Sequence, residues 1–129
     1  MMPKVWLKSG AYLVIQPTEA LVSIDVNTGK AISKKKDVQK TFYKINVEAA
    51  REIASQLRLR NLSGIILVDF IDMESGQDQK SLLELLRQEV RRDQVQTTVV
   101  DMTKLGLVEI TRKKIRKSLY DQINERQGE

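Results

Sequence analysis

The sequence predicts a single α/β domain with a mixed sheet. Strand-like and helix-like periodicities alternate along the chain in the order β-β-α-β-α-β-β-α, so that each internal helix lies between strands. The 129 residues, 41% of them hydrophobic, suffice for one core and not for two. We therefore expect one domain over residues 1–129, with its core at about 5–120 and a frayed tail at 121–129.

The first two predicted strands form a hairpin. AYLVIQ at 11–16 and ALVSIDVN at 20–27 are strand-like runs only three residues apart, which is typical of an antiparallel connection. Residues 30–44 show no clean period and predict a mobile loop. Trp6, before the hairpin, and Phe42, within residues 30–44, are expected to pack against the domain.

A helix, a buried strand and a second helix follow. Asn46 is a candidate cap for a helix that runs to about Arg60, because apolar residues recur after it at helical spacing. GIILVDF at 64–70 is apolar without alternation, which predicts a strand covered on both faces. Ser75 and Asp78 have the spacing of a capping box and predict the start of the second helix.

The predicted chain ends with two strands and a basic helix. QTTVVDM at 96–102 and GLVEIT at 106–111 are strand-like, and Thr111 is a candidate cap for the last helix. Its inward stripe would be Ile115, Leu119 and Ile123. Five cations lie largely on its outer side: Arg112, Lys113, Lys114, Arg116 and Lys117.

Composition excludes several kinds of chemistry. The chain has no cysteine and no histidine, which rules out disulfides, thiolate nucleophiles, Cys/His zinc sites and imidazole as acid, base or ligand. Any catalysis must then use carboxylates, with a hard cation as the best match. No apolar run has the roughly 18–20 residues of a membrane helix, and the first residues show no signal-peptide pattern. We expect a cytoplasmic protein without a membrane partner.

Two carboxylates are placed for such chemistry. Asp25 and Asp69 each end a predicted strand, and ligands of open α/β sheets bind beyond the carboxyl ends of strands. A magnesium ion between them would remove their repulsion and complete its shell with water and phosphate oxygens. Asn27 is placed to hydrogen-bond one carboxylate. The alternative is that each aspartate forms a turn or caps a helix, and Asp72 has the same ambiguity.

The basic residues favour a polyanionic partner. The net charge is +5, and the lysines of residues 30–44, with the cluster at 112–117, fit phosphate contacts. The alternative is that both are solvated surfaces. Aromatic residues are few, which gives little support for a base-stacking platform. The candidate RNA-binding residues are Lys34, Lys35, Lys36, Arg112, Lys113, Lys114, Arg116 and Lys117.

Three strings carry a resemblance to a known family. TEALVSIDVNTGK, NVEAAREIASQLRLRNLSGIILVDFIDM and LGLVEITRKKIRKSL, in this order and with these gaps, resemble the ribonuclease E/G family. The similarity covers about residues 5–120 and corresponds to the part of that family's catalytic region termed the DNase I-like subdomain. The resemblance implies that fold.

The resemblance also implies an activity and a site. The family cuts single-stranded RNA endonucleolytically with magnesium, as a hydrolase of RNA processing and decay. Its two metal-binding aspartates match Asp25 and Asp69, and its positioning asparagine matches Asn27. Asp72 matches the second acid of the DFIDM string and takes a supporting role.

The sequence also departs from the family pattern. The family's zinc-binding CPxCxG segment is absent, so we expect magnesium and no zinc, and any homo-oligomer would not be zinc-linked. The family's N-terminal RNA-binding domains and 5′-phosphate sensor are missing, so we expect an excised catalytic subdomain with weak or no activity alone. The alternative is a non-catalytic RNA-binding or scaffold module of the same fold.

Overall fold

The computed structural model describes residues 2–31 and 38–115, which form one mixed α/β domain. The predicted fold class is therefore confirmed. The six strands and two helices, in chain order, are β1 (Lys4–Trp6), β2 (Tyr12–Pro17), β3 (Val22–Asn27), α1 (Val38–Leu59), β4 (Gly64–Asp69), α2 (Gly76–Val90), β5 (Thr97–Met102) and β6 (Val108–Arg112).

The six strands form one mixed sheet in the spatial order β1-β2-β3-β4-β6-β5. β3 and β4 are parallel, and every other neighbouring pair is antiparallel. The β2–β3 hairpin is confirmed. The strand β1 was not predicted, and it places Trp6 on an outer strand where 59% of the residue is exposed. The expectation that Trp6 packs into the domain is therefore wrong.

Both helices cover the same face of the sheet. α1 connects β3 to β4 and α2 connects β4 to β5, and these three strands run in the same direction. Right-handed crossovers in one direction along a sheet bring both helices to one side, and the two helices contact each other. Alternate strand residues such as Leu13, Ile24 and Ile66 fill the core beneath them.

The opposite face of the sheet carries no helix from the described part of the chain. Ile65 of β4 is 46% exposed there, whereas Ile66 and Val68 are fully buried under the helices. The prediction that this strand is covered on both faces is therefore wrong. Its uninterrupted apolar run hides an alternation, because Ile65 and Leu67 face outward. We call this exposed side the open face.

The helix boundaries differ from the expectations at one end. α1 begins at Val38, eight residues before Asn46, so the predicted loop at 30–44 is wrong for its second part. The residues 32–37, including Lys34, Lys35 and Lys36, lie outside the described residues. α2 begins as predicted, with Ser75 Oγ accepting the backbone N–H of Asp78 at 3.2 Å.

The C-terminal prediction fails at its start. Thr111 is not a helix cap, because β6 continues through it to Arg112 and pairs with β4 and β5. The remainder of the predicted helix, from residue 116, lies outside the described residues. Neither α1 nor α2, the helices within the described ranges, has a stretch long and apolar enough to span a bilayer.

Candidate active site

Two carboxylates on adjacent strands form the centre of the candidate site. Asp25 lies in β3, Asp69 is the last residue of β4, and their Cα atoms are partners in the parallel pairing. Neighbouring strands lie about 4.8 Å apart, and residues opposite each other project to the same side. Because Ile24 and Val68 point into the core, both carboxylates lie on the open face. The two acids that the sequence analysis expected to converge are thus direct neighbours.

Asn27 follows Asp25 on the same face of β3. Its Nδ2 donates a hydrogen bond to Oδ2 of Asp25 at 3.3 Å. This distance is long for an N–H···O bond, so the restraint is weak. The bond engages only one of the two carboxylate oxygens of Asp25.

Negative charge is concentrated at the end of β4. Partial burial raises the pKa of Asp69 above its ordinary value, and the nearby carboxylates of Asp25 and Asp72 raise it further. Asp72 is therefore close enough to influence Asp69 through space. A cation placed between these groups would remove the repulsion that raises this pKa.

The donor set fits magnesium. Within residues 2–31 and 38–115, no group of three or more Asp, Glu, His or Cys side chains is arranged to enclose a metal ion. Magnesium is commonly bound by one or two carboxylates, with water and substrate phosphate completing its octahedron. Asp25 and Asp69 supply such a pair of hard oxygen donors on an exposed surface.

The loop that follows Asp69 is held by two side chains of α1. The buried Asn46 side chain accepts the backbone N–H of Ile71 at 3.0 Å and donates to the carbonyl of Ile71 at 2.9 Å. Gln39 accepts the N–H of Glu74 at 3.1 Å. The backbone between Asp69 and the start of α2 is therefore fixed from the core side.

Sequence reasoning assigned Asn46 to the wrong role. It is not a helix cap but a residue inside α1, fully buried below the loop that carries Asp69 and Asp72. A pattern in the sequence points to this role, since Asn46, Ala50 and Ile53 share one helical stripe. A buried amide in an apolar stripe needs a polar partner, and the strand-end backbone supplies it.

The turn after β3 is packed against the β1–β2 turn. Gly29 has φ of +53°, and a Cβ atom there would lie 2.3 Å from the carbonyl oxygen of Gly10. The backbone N–H of Lys30 donates to the same carbonyl at 3.2 Å. Only glycine fits this close approach, so the Thr28–Gly29 pair closes the end of the strand that carries Asp25 and Asn27.

The structure does not bring Lys113 and Lys114, the exposed cations of the C-terminal cluster that it describes, to the acid pair. Lys113 follows β6, whose end pairs with Gly64 at the start of β4. Asp69 is at the other end of β4, five residues and about 17 Å away. Lys113 and Lys114 are exposed, while Arg116 and Lys117 lie outside the described residues.

Arg112 does not belong among the RNA-binding candidates. It is 3% exposed, and its guanidinium donates to Asp93 at 2.8 Å and to the carbonyl of Leu62 and the side chain of Asn61, each at 2.9 Å. These contacts hold β6 against the α1–β4 connection. Its role is structural, because the strand extends one residue beyond the predicted end and turns this side chain inward.

Comparisons with known proteins give the family of the chain. Residues 1–115 match the family model described as the Ribonuclease E/G family. Ribonuclease E of Nostoc sp. is 48% identical over 92% of this chain, and Ribonuclease G of Escherichia coli (strain K12) is 47% identical over 90%. Ribonuclease E of Synechocystis sp. is 46% identical over 92%. The chain covers only 17%, 24% and 18% of the length of these relatives, respectively.

Proposed function

This chain belongs to the ribonuclease E/G family, and we propose that it is the part of a magnesium-dependent endoribonuclease that holds the metal and the scissile phosphate of single-stranded RNA. The observation that carries the proposal is the in-register pairing of Asp25 with Asp69 on the open face. A phosphodiester can approach this face without displacing any described element.

Each residue of the site has a distinct role in this proposal. Asp25 and Asp69 hold the ion, and Asn27 orients the Asp25 carboxylate through its hydrogen bond. When bound, magnesium supplies a Lewis acid that polarises the phosphate and lowers the pKa of a bound water. Asp72 adds negative charge beside Asp69, which strengthens the attraction for a cation.

Asn46 acts on the site through the backbone of Ile71 and does not contact the ligand in this proposal. Its two hydrogen bonds to Ile71 fix the backbone between the two acids of the DFIDM string. The carboxylate of Asp69 is thereby held at the strand end before any ligand arrives. Such preorganisation avoids ordering the loop during the reaction.

The alternative function is a non-catalytic RNA-binding or scaffold module. The acid pair argues against it, since adjacent carboxylates on the open face repel a phosphate unless a cation lies between them. A purely electrostatic RNA-binding surface would be stronger without Asp25, Asp69 and Asp72. Their concentration at one point is better explained by a metal-dependent contact.

The test of the proposal is to neutralise each acid without changing its shape. Asp25→Asn and Asp69→Asn should each lower magnesium-dependent cleavage of a 5′-phosphorylated single-stranded RNA by about 10²-fold or more, since each removes a charged ligand. The variants are measured in this chain and, at the aligned positions, in the Escherichia coli relative. Asp101→Asn, a carboxylate on the outer strand β5, is the matched control and should keep the parent rate.

Magnesium titration followed by NMR supplies a readout that does not depend on turnover. The backbone amides of Asp25, Asn27 and Asp69 should shift together as the ion binds, and the Asp69→Asn variant should lose this response. Near-normal cleavage in either acid variant would refute the site assignment. RNA binding without cleavage, with these amides unmoved by magnesium, would favour the scaffold alternative.

A further inference from the structure

Two aromatic residues, the exposed Trp6 and the partly buried Tyr12, lie on the open face near the acid pair. Trp6 of β1 and Tyr12 of β2 are register partners, with ring centroids 5.0 Å apart and planes inclined at 52°. Trp6 is 59% exposed although tryptophan usually buries most of its large apolar surface. The core on the helix side is formed by other residues of these strands, such as Leu13.

The strand register connects the rings to the candidate active site. Tyr12 pairs with Asn27, so Trp6, Tyr12 and Asn27 form one row of side chains across the open face. Strand spacing places the Trp6 backbone about 10 Å from that of Asn27. A second row, parallel to the first, consists of Lys4, Val14, Asp25 and Asp69.

A lysine ammonium accompanies the rings. Lys4 Nζ lies 4.5 Å from the centroid of the Tyr12 ring and 5.1 Å from that of Trp6. Lys4 is an exposed residue on a flexible stem, so its ammonium can exchange the ring faces for a phosphate oxygen. An aromatic platform with an adjacent cation is the arrangement by which proteins bind single-stranded nucleic acids without reading their sequence.

The platform is also held in place. The turn between β1 and β2 is tied to α1, because Ser9 donates from Oγ and from its backbone N–H to the Glu48 carboxylate, at 2.5 and 3.2 Å. Gly10 in the same turn contacts the turn after β3. The turns next to the rings and next to the acid pair are thus tied to each other and to α1. The rings are therefore held in place for a base to stack on them.

We infer that Trp6 and Tyr12 form a base-stacking subsite for single-stranded RNA, with Lys4 binding the backbone phosphate of the stacked nucleotide. This inference rests on the proposed function, since it places a nucleotide of the same strand whose phosphate reaches Asp25 and Asp69. The subsite would hold the strand across β1, β2 and β3 without selecting a particular base, because every base has a stacking face.

The experiment uses the whole chain with Asp25→Asn and Asp69→Asn, so that the RNA stays intact and the acids do not repel it. Trp6 is the only tryptophan, and its fluorescence therefore reports this subsite alone. A uridylate hexamer should quench Trp6 emission as it binds, whereas a hexamer of abasic ribose phosphates should not. Because no catalysis is involved, the result is independent of whether the acids support cleavage.

Matched variants separate stacking from bulk hydrophobicity. By anisotropy of labelled hexamer, Trp6→Leu should weaken binding about 5- to 100-fold, while Trp6→Phe should retain most of the affinity. Lys4→Ala should lower the salt dependence of log Kd by about 0.7, the contribution of one phosphate on a single strand. Val100→Ala, an exposed apolar residue on the opposite outer strand, is the control and should change neither quantity.

Three results with the hexamers would overturn the subsite. These are a hexamer that does not bind, a hexamer that binds with unchanged Trp6 emission, and equal quenching by the abasic oligomer. Emission that depends on protein concentration without RNA would assign the rings to contact between copies and also overturn it. Circular dichroism of each variant confirms that the sheet is intact. Loss of cleavage in the acid variants with base-dependent quenching retained supports both proposals, whereas cleavage unaffected by the acids would refute only the active site.

Discussion

Two aspartates of this domain have opposite electrostatic surroundings. Burial raises the pKa of Asp69, and two neighbouring carboxylates add to the increase. Burial also acts to raise the pKa of Asp93, but hydrogen bonds from Arg112, from the N–H of Val95 and from Thr97, together with the Arg112 charge, hold it below its ordinary value. Within residues 2–31 and 38–115, Asp69 has no compensating cation, whereas Asp93 has the buried Arg112.

The two carboxylates therefore differ in whether their charge is used within the fold or left available to a ligand. The Asp93 and Arg112 side chains are each only 4% exposed, and their ion pair joins β6 to the turn after α2. The Asp93 carboxylate accepts hydrogen bonds from groups of the protein itself. Asp69 lies on the open face among like charges, a costly arrangement that a bound cation would make favourable.

The largest expected change in stability comes from breaking the Asp93–Arg112 ion pair. Asp93→Asn leaves the Arg112 guanidinium buried without a countercharge and should lower the free energy of unfolding by about 3–5 kcal/mol. Urea denaturation at neutral pH measures it. As the control, Arg51→Ala removes an arginine whose side chain is 61% exposed and lies 3.7 Å from Glu89, and it should cost less than about 1 kcal/mol. Similar losses in both variants would refute the distinction.

The next effect concerns the residue that supports the uncompensated site. Asn46→Ala removes both hydrogen bonds to Ile71 and should cost about 1–3 kcal/mol, because a buried backbone N–H and carbonyl lose their partner. Amide hydrogen exchange of Ile71 should accelerate. Asn46→Asp can still accept the Ile71 N–H and is the matched variant, expected to protect that amide partly. Unchanged exchange in the alanine variant would contradict the positioning role.

An aspartate-to-asparagine substitution at the acid pair should not lower the free energy of unfolding as Asp93→Asn does. Asp69→Asn removes like-charge repulsion and should leave the free energy of unfolding unchanged or raise it by up to about 1 kcal/mol at neutral pH. Urea denaturation without magnesium measures this change. A loss comparable to that of Asp93→Asn would mean that Asp69 has a structural partner rather than a ligand-binding role.

The two sites should also differ in their pH dependence. The lowered pKa of Asp93 contributes stability that is present above its ordinary value of 3.8 and is lost as pH falls through the folded-state pKa. The raised pKa of Asp69 contributes in the reverse sense, with stability present below 3.8 and lost as pH rises through the raised value. Urea denaturation across acidic pH measures the two contributions. Asp93→Asn should remove part of the pH dependence of the free energy of unfolding below 3.8, and Asp69→Asn should remove part of it above 3.8.

The smallest effect tests the spacing of the acids directly. In Asp25→Asn the carboxyl pKa of Asp69, followed by NMR, should fall toward 3.8, since one of the charges that raises it is gone. Glu109→Gln, on the open face but two residue positions from Asp69, is the control. An Asp69 pKa that does not respond to Asp25 would show that the two carboxylates do not interact.

Sequence alone determined the local part of this architecture. Alternation placed Asp25 and Asn27 on one side of β3, and the Ser75–Asp78 spacing located the start of α2. Both patterns depend on contacts between residues close in the chain, which periodicity records. The family resemblance added the expected role of the acids, which no local pattern contains.

Tertiary structure alone decided which face is open and which polar residues are buried. The apolar run of β4 was consistent with two covered faces, but both crossovers place their helices on one side and leave Ile65 and Trp6 exposed. Arg112 and Asn46 read as a surface cation and a cap, yet each is buried against partners far along the chain. Periodicity shows that a strand or a helix has two faces. The handedness of the crossovers and the register of the long-range pairings decide what covers each face.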